Sequence, residues 1–223
     1  MTRRTLALLA LAACDAGTGP PPPQASSVRA LAAIYGGGAL TAIVDGRTIA
    51  SGLAFGQLTR STALVPGDHT LLMAPSDSTH TLSLVFTAVA GVGLTAVVID
   101  STASATRIID PVLVSDTGAT PATDRARLRL ADFAAAALPV DAYRSQPDSA
   151  GLRLTAAPLA FRAVTPYVDG APGSWSVVLS HTGRTDTILA TGALALAAGQ
   201  AETVVVLDSS AGTLTWRVVR DRD

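Results

Sequence analysis

Short apolar segments alternate with turn-forming residues along most of the chain. After residue 27, stretches rich in Val, Leu, Ala and Thr are separated by Gly, Pro, Asp and Ser. This pattern predicts short strands joined by tight turns, and no long stretch repeats apolar residues with the 3.6-residue period of a helix. We therefore predict an all-β fold. In the first part of the chain the strands are expected near 28–34, 39–45, 58–64, 69–74, 80–90, 93–100 and 106–114.

The composition supports strands over helices. All 16 basic residues are arginine and the only glutamate is Glu202, so the usual surface helix formers are nearly absent. The 16 basic residues are balanced by 17 acidic ones. A chain with so little net charge offers no broad basic face, and we expect no nucleic-acid partner.

The N-terminus has a different pattern. Arg3 and Arg4 precede the apolar run Thr5–Ala13. As a helix this run would cover about 13 Å, which is too short for a bilayer core of about 30 Å and typical of a secretory signal. The run ends in Leu11-Ala12-Ala13-Cys14. A Pro-rich segment, residues 14–26, follows.

The segment Leu11–Cys14 resembles the lipobox of a bacterial lipoprotein signal, here residues 1–13. The resemblance implies cleavage before Cys14, acylation of its thiol and of the new amine, and a membrane anchor at that residue. An ordinary signal peptide with a chance cysteine is the alternative. Cys14 is the only cysteine, so the mature protein is expected to hold no disulfide. The expected location is the bacterial cell envelope, on the periplasmic face or the cell surface.

The remaining chain contains an internal repeat. Leu53–Gln57 aligns with Leu159–Ala163, and Val65–Leu72 aligns with Ala171–Val178, both at an offset of 106 residues (159 − 53 and 171 − 65). Two more pairs of blocks agree. They are Val28–Leu31 with Leu128–Ala131, and Val97–Ser101 with Val205–Ser209. We predict two tandem immunoglobulin-like antiparallel β-sandwich domains, at residues 27–115 and 124–223.

Several of these blocks resemble a known family. Leu40–Gly46, Leu53–Gln57, Val65–Gly67 and Leu196–Gly199 are similar to the bacterial "domain of unknown function 4397". The resemblance implies two tandem β-sandwich modules of a kind found in exported proteins and lipoproteins. It implies no catalytic residues. The family's His-Ala-Ser-Pro-like stretch is replaced here by residues 33–38 and 132–136.

Patterns that suggest other chemistry have simpler explanations. Thr81–Ile99 is uncharged and long enough to span a membrane, but its repeat partner contains Gln200 and Glu202. Gly91 and Gly93 match a loose dinucleotide-binding pattern, yet a strand-like sequence follows them where a helix is required. We therefore expect two strands joined by a turn, and no cofactor.

The remaining candidates are histidines and tryptophans. His69, His80 and His181 lack the spacing of a metal site, so no metal is expected. Trp175 and Trp216 alternate with apolar residues, which predicts that both face the core. An exposed Trp175 or Tyr167 would instead favour a sugar-binding surface.

These observations predict a lipid-anchored, non-catalytic envelope protein with a structural or binding role. Its expected partners are the membrane, through Cys14, and another envelope protein or a polysaccharide. The alternative is a carbohydrate- or solute-binding lipoprotein. A hydrolase is a third option, although no Gly-x-Ser-x-Gly motif occurs.

Overall fold

Residues 26–115 form eight strands, which we call the first half. The computed structural model of the protein describes residues 24–77, 81–100, 109–135, 139–210 and 213–221. The strands of the first half are β1 (Ser26–Ala33), β2 (Leu40–Val44), β3 (Arg47–Leu53), β4 (Thr62–Leu64), β5 (Gly67–Pro75), β6 (Leu82–Ala88), β7 (Gly93–Asp100) and β8 (Ile109–Ser115).

Residues 126–220 form nine strands, which we call the second half. They are β9 (Ala126–Phe133), β10 (Val140–Gln146), β11 (Ser149–Arg153), β12 (Val168–Gly170), β13 (Gly173–His181), β14 (Thr187–Ala190), β15 (Leu194–Leu196), β16 (Ala201–Ser210) and β17 (Thr213–Arg220). No helix occurs in the described ranges, so the all-β prediction is confirmed there.

Each half contains two sheets with matching strand orders. The inner sheets have the orders β4-β1-β7-β8 and β12-β9-β16-β17. The outer sheets have the orders β3-β2-β5-β6 and β11-β10-β13-β14, and β15 pairs with β13 beside β14. The inner and outer sheets of each half pack face to face around a core of their own.

A third core joins the two halves. Along β1, Val28 and Ala30 point into the core of the first half, whereas Leu31 and Ala33 point to the opposite face. That face packs on the inner sheet of the second half. The apolar side chains of this third core are Leu31, Ala33, Val97, Ile99, Val114, Ala131, Phe133, Val205, Leu207 and Val219. The inner sheets are therefore covered on both faces.

The strand pairing corrects the prediction of purely antiparallel sandwiches. β1 pairs with β7 in parallel, and β9 pairs with β16 in parallel. The long connection between these partners lets the chain return in the same direction. An immunoglobulin constant domain places its first, second, fifth and fourth strands in one sheet. Here the first and fourth strands lie with the seventh and eighth, so an immunoglobulin-like strand order is not confirmed.

The uncharged stretch Thr81–Ile99 forms most of β6 and β7 with a turn between them, as expected. The described residues include no helix that is long and apolar enough to cross a membrane. One strand was missing from the prediction. β3 follows β2 directly through Asp45 and Gly46, whose φ angles are 49° and 78°. Two successive residues with positive φ form the kind of turn that closes a two-residue hairpin.

Candidate functional site

The predicted lipidation site, Cys14, lies outside the described residues, as do residues 1–13 and most of the tether. The described chain begins at Gln24. The Gln24 carbonyl accepts a hydrogen bond from Gly91 N at 3.2 Å. The tether therefore meets the folded part of the chain beside the turn between β6 and β7.

The histidines do not converge. His69 Nδ1 lies 2.6 Å from Asp45 Oδ2, and His69 Nε2 lies 2.7 Å from the Val65 carbonyl oxygen. The hydrogen bond to Asp45 is the main cause of a raised His69 pKa. Both ring nitrogens are thus occupied by groups of the same loop region. His181 belongs to the second half, and His80 lies outside the described residues.

The tryptophans pack as predicted. Trp175 is 1% exposed, and its indole Nε1 donates to the Ala171 carbonyl at 2.9 Å. Trp216 is partly buried against the same core. Tyr167 lies under Arg129, whose Cζ is 4.3 Å from the ring centre, and burial raises the Tyr167 pKa. These contacts make Trp175 unsuitable as a platform for sugar.

The most unusual polar feature is a pair of arginines at the seam between the halves. Arg29 on β1 and Arg129 on β9 occupy equivalent places. Arg29 Nε donates to Thr95 Oγ1 at 2.8 Å, and Arg129 Nε donates to Thr203 Oγ1 at 2.7 Å. In each half the threonine lies opposite the arginine on the adjacent parallel strand.

A single carboxylate lies between the two arginines. Asp221 Oδ1 is 3.4 Å from Arg29 Nη2 and 3.7 Å from Arg129 Nη2. Asp221 Oδ2 accepts a hydrogen bond from Thr203 Oγ1 at 2.5 Å. Burial raises the Asp221 pKa, against the opposing effect of the Thr203 hydrogen bond and the two arginines. This contact connects β1 of the first half with the end of β17.

A cleft of about 280 Å³ opens beside this carboxylate. Its wall includes Arg29, Asp221, Arg220, Asp116 and the backbone of residues 91–93. Asp116 Oδ1 accepts a hydrogen bond from the Gly93 amide at 2.6 Å, and burial raises its pKa. Charges of both signs line the cleft, which suits a small polar solute better than an apolar one. The described residues include no group of three or more His, Cys, Asp or Glu side chains that could hold a metal ion.

The sequence analysis missed Arg29 and Arg129, although a signal was present. Both lie inside apolar strands, at the same place in the aligned blocks Val28–Leu31 and Leu128–Ala131. A charged residue that recurs within a buried strand needs a partner, because an unpaired buried charge is costly. The partner Asp221 lies too far along the sequence to be identified from spacing.

Comparison with known proteins identifies one family. No curated protein matches the chain. Residues 26–143 match the family described as "Domain of unknown function (DUF4397)". The match covers all of the first half, together with β9 and the beginning of β10. Since it spans more than half of the 223 residues, the chain belongs to this family.

Proposed function

We propose that this protein is a lipid-anchored, non-catalytic component of the bacterial cell envelope with a structural or binding role. Cys14 carries the lipid, residues 14–26 form the tether, and the two halves form the head. Two or more acyl chains hold a protein firmly on a membrane, whereas one chain holds it only marginally. The partners are the membrane and another envelope protein or a polysaccharide.

The third core is the observation that carries this proposal. Because the inner sheets bury apolar side chains on both faces, the halves form one body and not two independently moving beads. The surface left for contacts consists of the outer sheets, the strand edges and the loops. A body of this kind, held beside a membrane by a short tether, is suited to presenting a binding surface.

We also infer that the second half is a second copy of the family domain. Gly67 and Gly173, 106 residues apart, have φ angles of 141° and 135°. Gly56 has a φ of 74°, and its counterpart Arg162 keeps a φ of 67° although it is not glycine. The same backbone conformation at aligned positions supports duplication. An immunoglobulin-like ancestry for both copies rests only on the packing of two sheets in each.

Membrane fractionation after replacing Cys14 tests the anchor. In the Cys14→Ser variant we expect the protein to move from the membrane fraction to the soluble fraction, because no acyl chain can be attached through a thioether. Asp15→Asn is the matched control, and it should remain with membranes. If Cys14→Ser still sediments with membranes after a salt wash, the anchoring proposal is wrong.

A second candidate function is binding of a small polar solute or carbohydrate in the seam cleft. The mixed charges of Arg29, Arg220, Asp116 and Asp221 around about 280 Å³ favour it. Glucose and N-acetylglucosamine, added at increasing concentration, should raise the thermal midpoint of the protein if they bind the folded state. Arg220→Ala should remove the shift, whereas Arg184→Ala, at an exposed site away from the cleft, should keep it. If neither sugar changes the midpoint, binding of these sugars is excluded.

A further inference from the structure

β6 differs from the other edge strands of the four sheets. It is seven residues long, Leu82–Ala88, and contains no charge, proline or glycine. Within the described residues it pairs only with β5. Val85, at its centre, is 71% exposed. Exposed edges of this kind are open to pairing with another strand.

The other edges are protected by features that natural sheets use against such pairing. Some are very short, since β4, β12 and β15 have three residues each and β14 has four. The longer ones carry charge, proline or glycine. These features are Arg47 and Gly52 in β3, Asp110 and Pro111 in β8, Gly151 and Arg153 in β11, and Arg217 and Arg220 in β17.

The counterpart of β6 in the second half shows the contrast most directly. There the edge is divided into β14 and β15, with Thr191 to Ala193 between them. The Thr191 hydroxyl accepts a hydrogen bond from Val177 N at 3.0 Å, in the interior of the sandwich. The second half therefore has no continuous edge at this place, whereas the first half does.

We propose that β6 is a self-association edge, which pairs antiparallel with β6 of a second copy of this chain about a twofold axis at Val85. In this register Val85 lies opposite Val85 of the second copy, and Ser83 lies opposite Thr87. On the core side, Leu84 meets Phe86 and Leu82 meets Ala88. Every pair joins side chains of like polarity, which stabilises adjacent strands.

The sequence of β6 favours a second copy over other occupants. The outward side chains Ser83, Val85 and Thr87 are exposed and uncharged, so they offer no ion pair to a charged partner. Asp68 on β5 is the charge beside them, and its carboxylate accepts a hydrogen bond from Thr87 at 2.6 Å. The tether is a poor occupant because Pro20–Pro23 have no amide hydrogen to donate to a strand edge.

Site-directed disulfide formation in the purified full-length chain tests both the contact and its register. Residues opposite each other in an antiparallel pair have Cβ atoms about 4.5–5.5 Å apart, close to the range that a disulfide needs. Val85→Cys should give a reducible covalent dimer on mild oxidation. Thr87→Cys should give at least about tenfold less, because two copies of residue 87 would be about 13 Å apart along the strands.

Two further arms keep the result interpretable. A mixture of Ser83→Cys and Thr87→Cys chains should crosslink, although neither chain alone does. The wild-type chain, with Cys14 only, reports any dimer formed through that residue, and Val65→Cys reports random collision at an equally exposed valine, 77% accessible. If Val85→Cys crosslinks no better than Val65→Cys, the proposal is wrong. If Thr87→Cys alone crosslinks as well as Val85→Cys, the register is wrong.

Discussion

The two halves of the molecule share their strand order but use equivalent positions differently. His69 at the start of β5 corresponds to Trp175 on β13, one 106 residues after the other (175 − 69). His69 is hydrogen-bonded at a loop, whereas Trp175 is the largest fully buried side chain of the second half. The comparison shows that turn geometry and register fix the backbone, while side chains remain free to specialise.

The seam shows the same behaviour with charges. Asp116 and Asp221 follow β8 and β17, and their amides donate to Gly93 O and Ala201 O, each at 2.9 Å. The backbones are thus equivalent. The side chains are not, because Asp221 is buried between two arginines and Asp116 lies in the cleft wall.

The largest expected effect comes from the His69 and Trp175 pair. Trp175→Ala should lower the free energy of unfolding by about 3–5 kcal/mol, because it leaves a large cavity in a closed core. His69→Ala should cost about 1 kcal/mol or less, since its partner Asp45 is well exposed and can be solvated. Urea denaturation followed by circular dichroism measures both. Equal losses would contradict the different roles assigned to these positions.

The next effect concerns Asp132, whose counterpart in the first half is Ala32. Asp132 is 1% exposed, and its Oδ2 has no hydrogen-bond partner among the described residues. Burial raises the pKa of Asp132 to about 7, and the charge of Asp208 also raises it. The unfolded chain releases this proton near pH 4. Stability should therefore fall as the pH rises from about 4 to 7, by up to about 4 kcal/mol.

Two variants test this pH dependence. Asp132→Asn is neutral at every pH, so its unfolding free energy should lose that fall and exceed the wild-type value above pH 7. Ala32→Asp should add a second fall by placing a carboxyl group at the equivalent site of the first half. A wild-type unfolding free energy that does not decrease between pH 4 and pH 8 would show that Asp132 is better solvated than the structure indicates.

Much of the fold could be predicted because local signals agreed. The repeat offsets, the turns and the apolar runs gave the all-β class and most strand positions. β3 was missed because Arg47, Ser51 and Gly52 weaken its apolar pattern. The Asp45-Gly46 pair, which commonly closes a two-residue hairpin, could have found it.

The seam was harder to predict. Runs such as Val97-Val98-Ile99 contain no polar alternation, which indicates a strand covered on both faces. The sequence does not state what covers the second face. Asp221 illustrates the difficulty, because it meets Arg29 across 192 residues and only the packing of the two halves brings them together.

Asp221 and Asp116 provide the third test. Asp221→Ala should lower the unfolding free energy by about 3 kcal/mol, because it leaves Arg29 and Arg129 without their buried carboxylate. Asp116→Ala should cost about 1 kcal/mol, mainly through the lost hydrogen bond to the Gly93 amide. Thermal unfolding of both variants gives the comparison. If Asp116→Ala is the more damaging change, the cleft wall contributes more to stability than the arginine pair does.

The smallest expected difference lies at two turn glycines, Gly91 and Gly199, which are 108 residues apart (199 − 91). Their φ angles are 73° and 80°, so alanine at either position costs about 1–2 kcal/mol of backbone strain. At Gly199 nothing lies within 4 Å of the added Cβ, whereas at Gly91 the Gln24 Oε1 would be 2.7 Å away. That atom ends a flexible side chain and can move, so Gly91→Ala should cost only slightly more than Gly199→Ala. A much larger loss for Gly91→Ala in urea denaturation would mean that Gln24 is held firmly, and that the tether is fixed where it meets the fold.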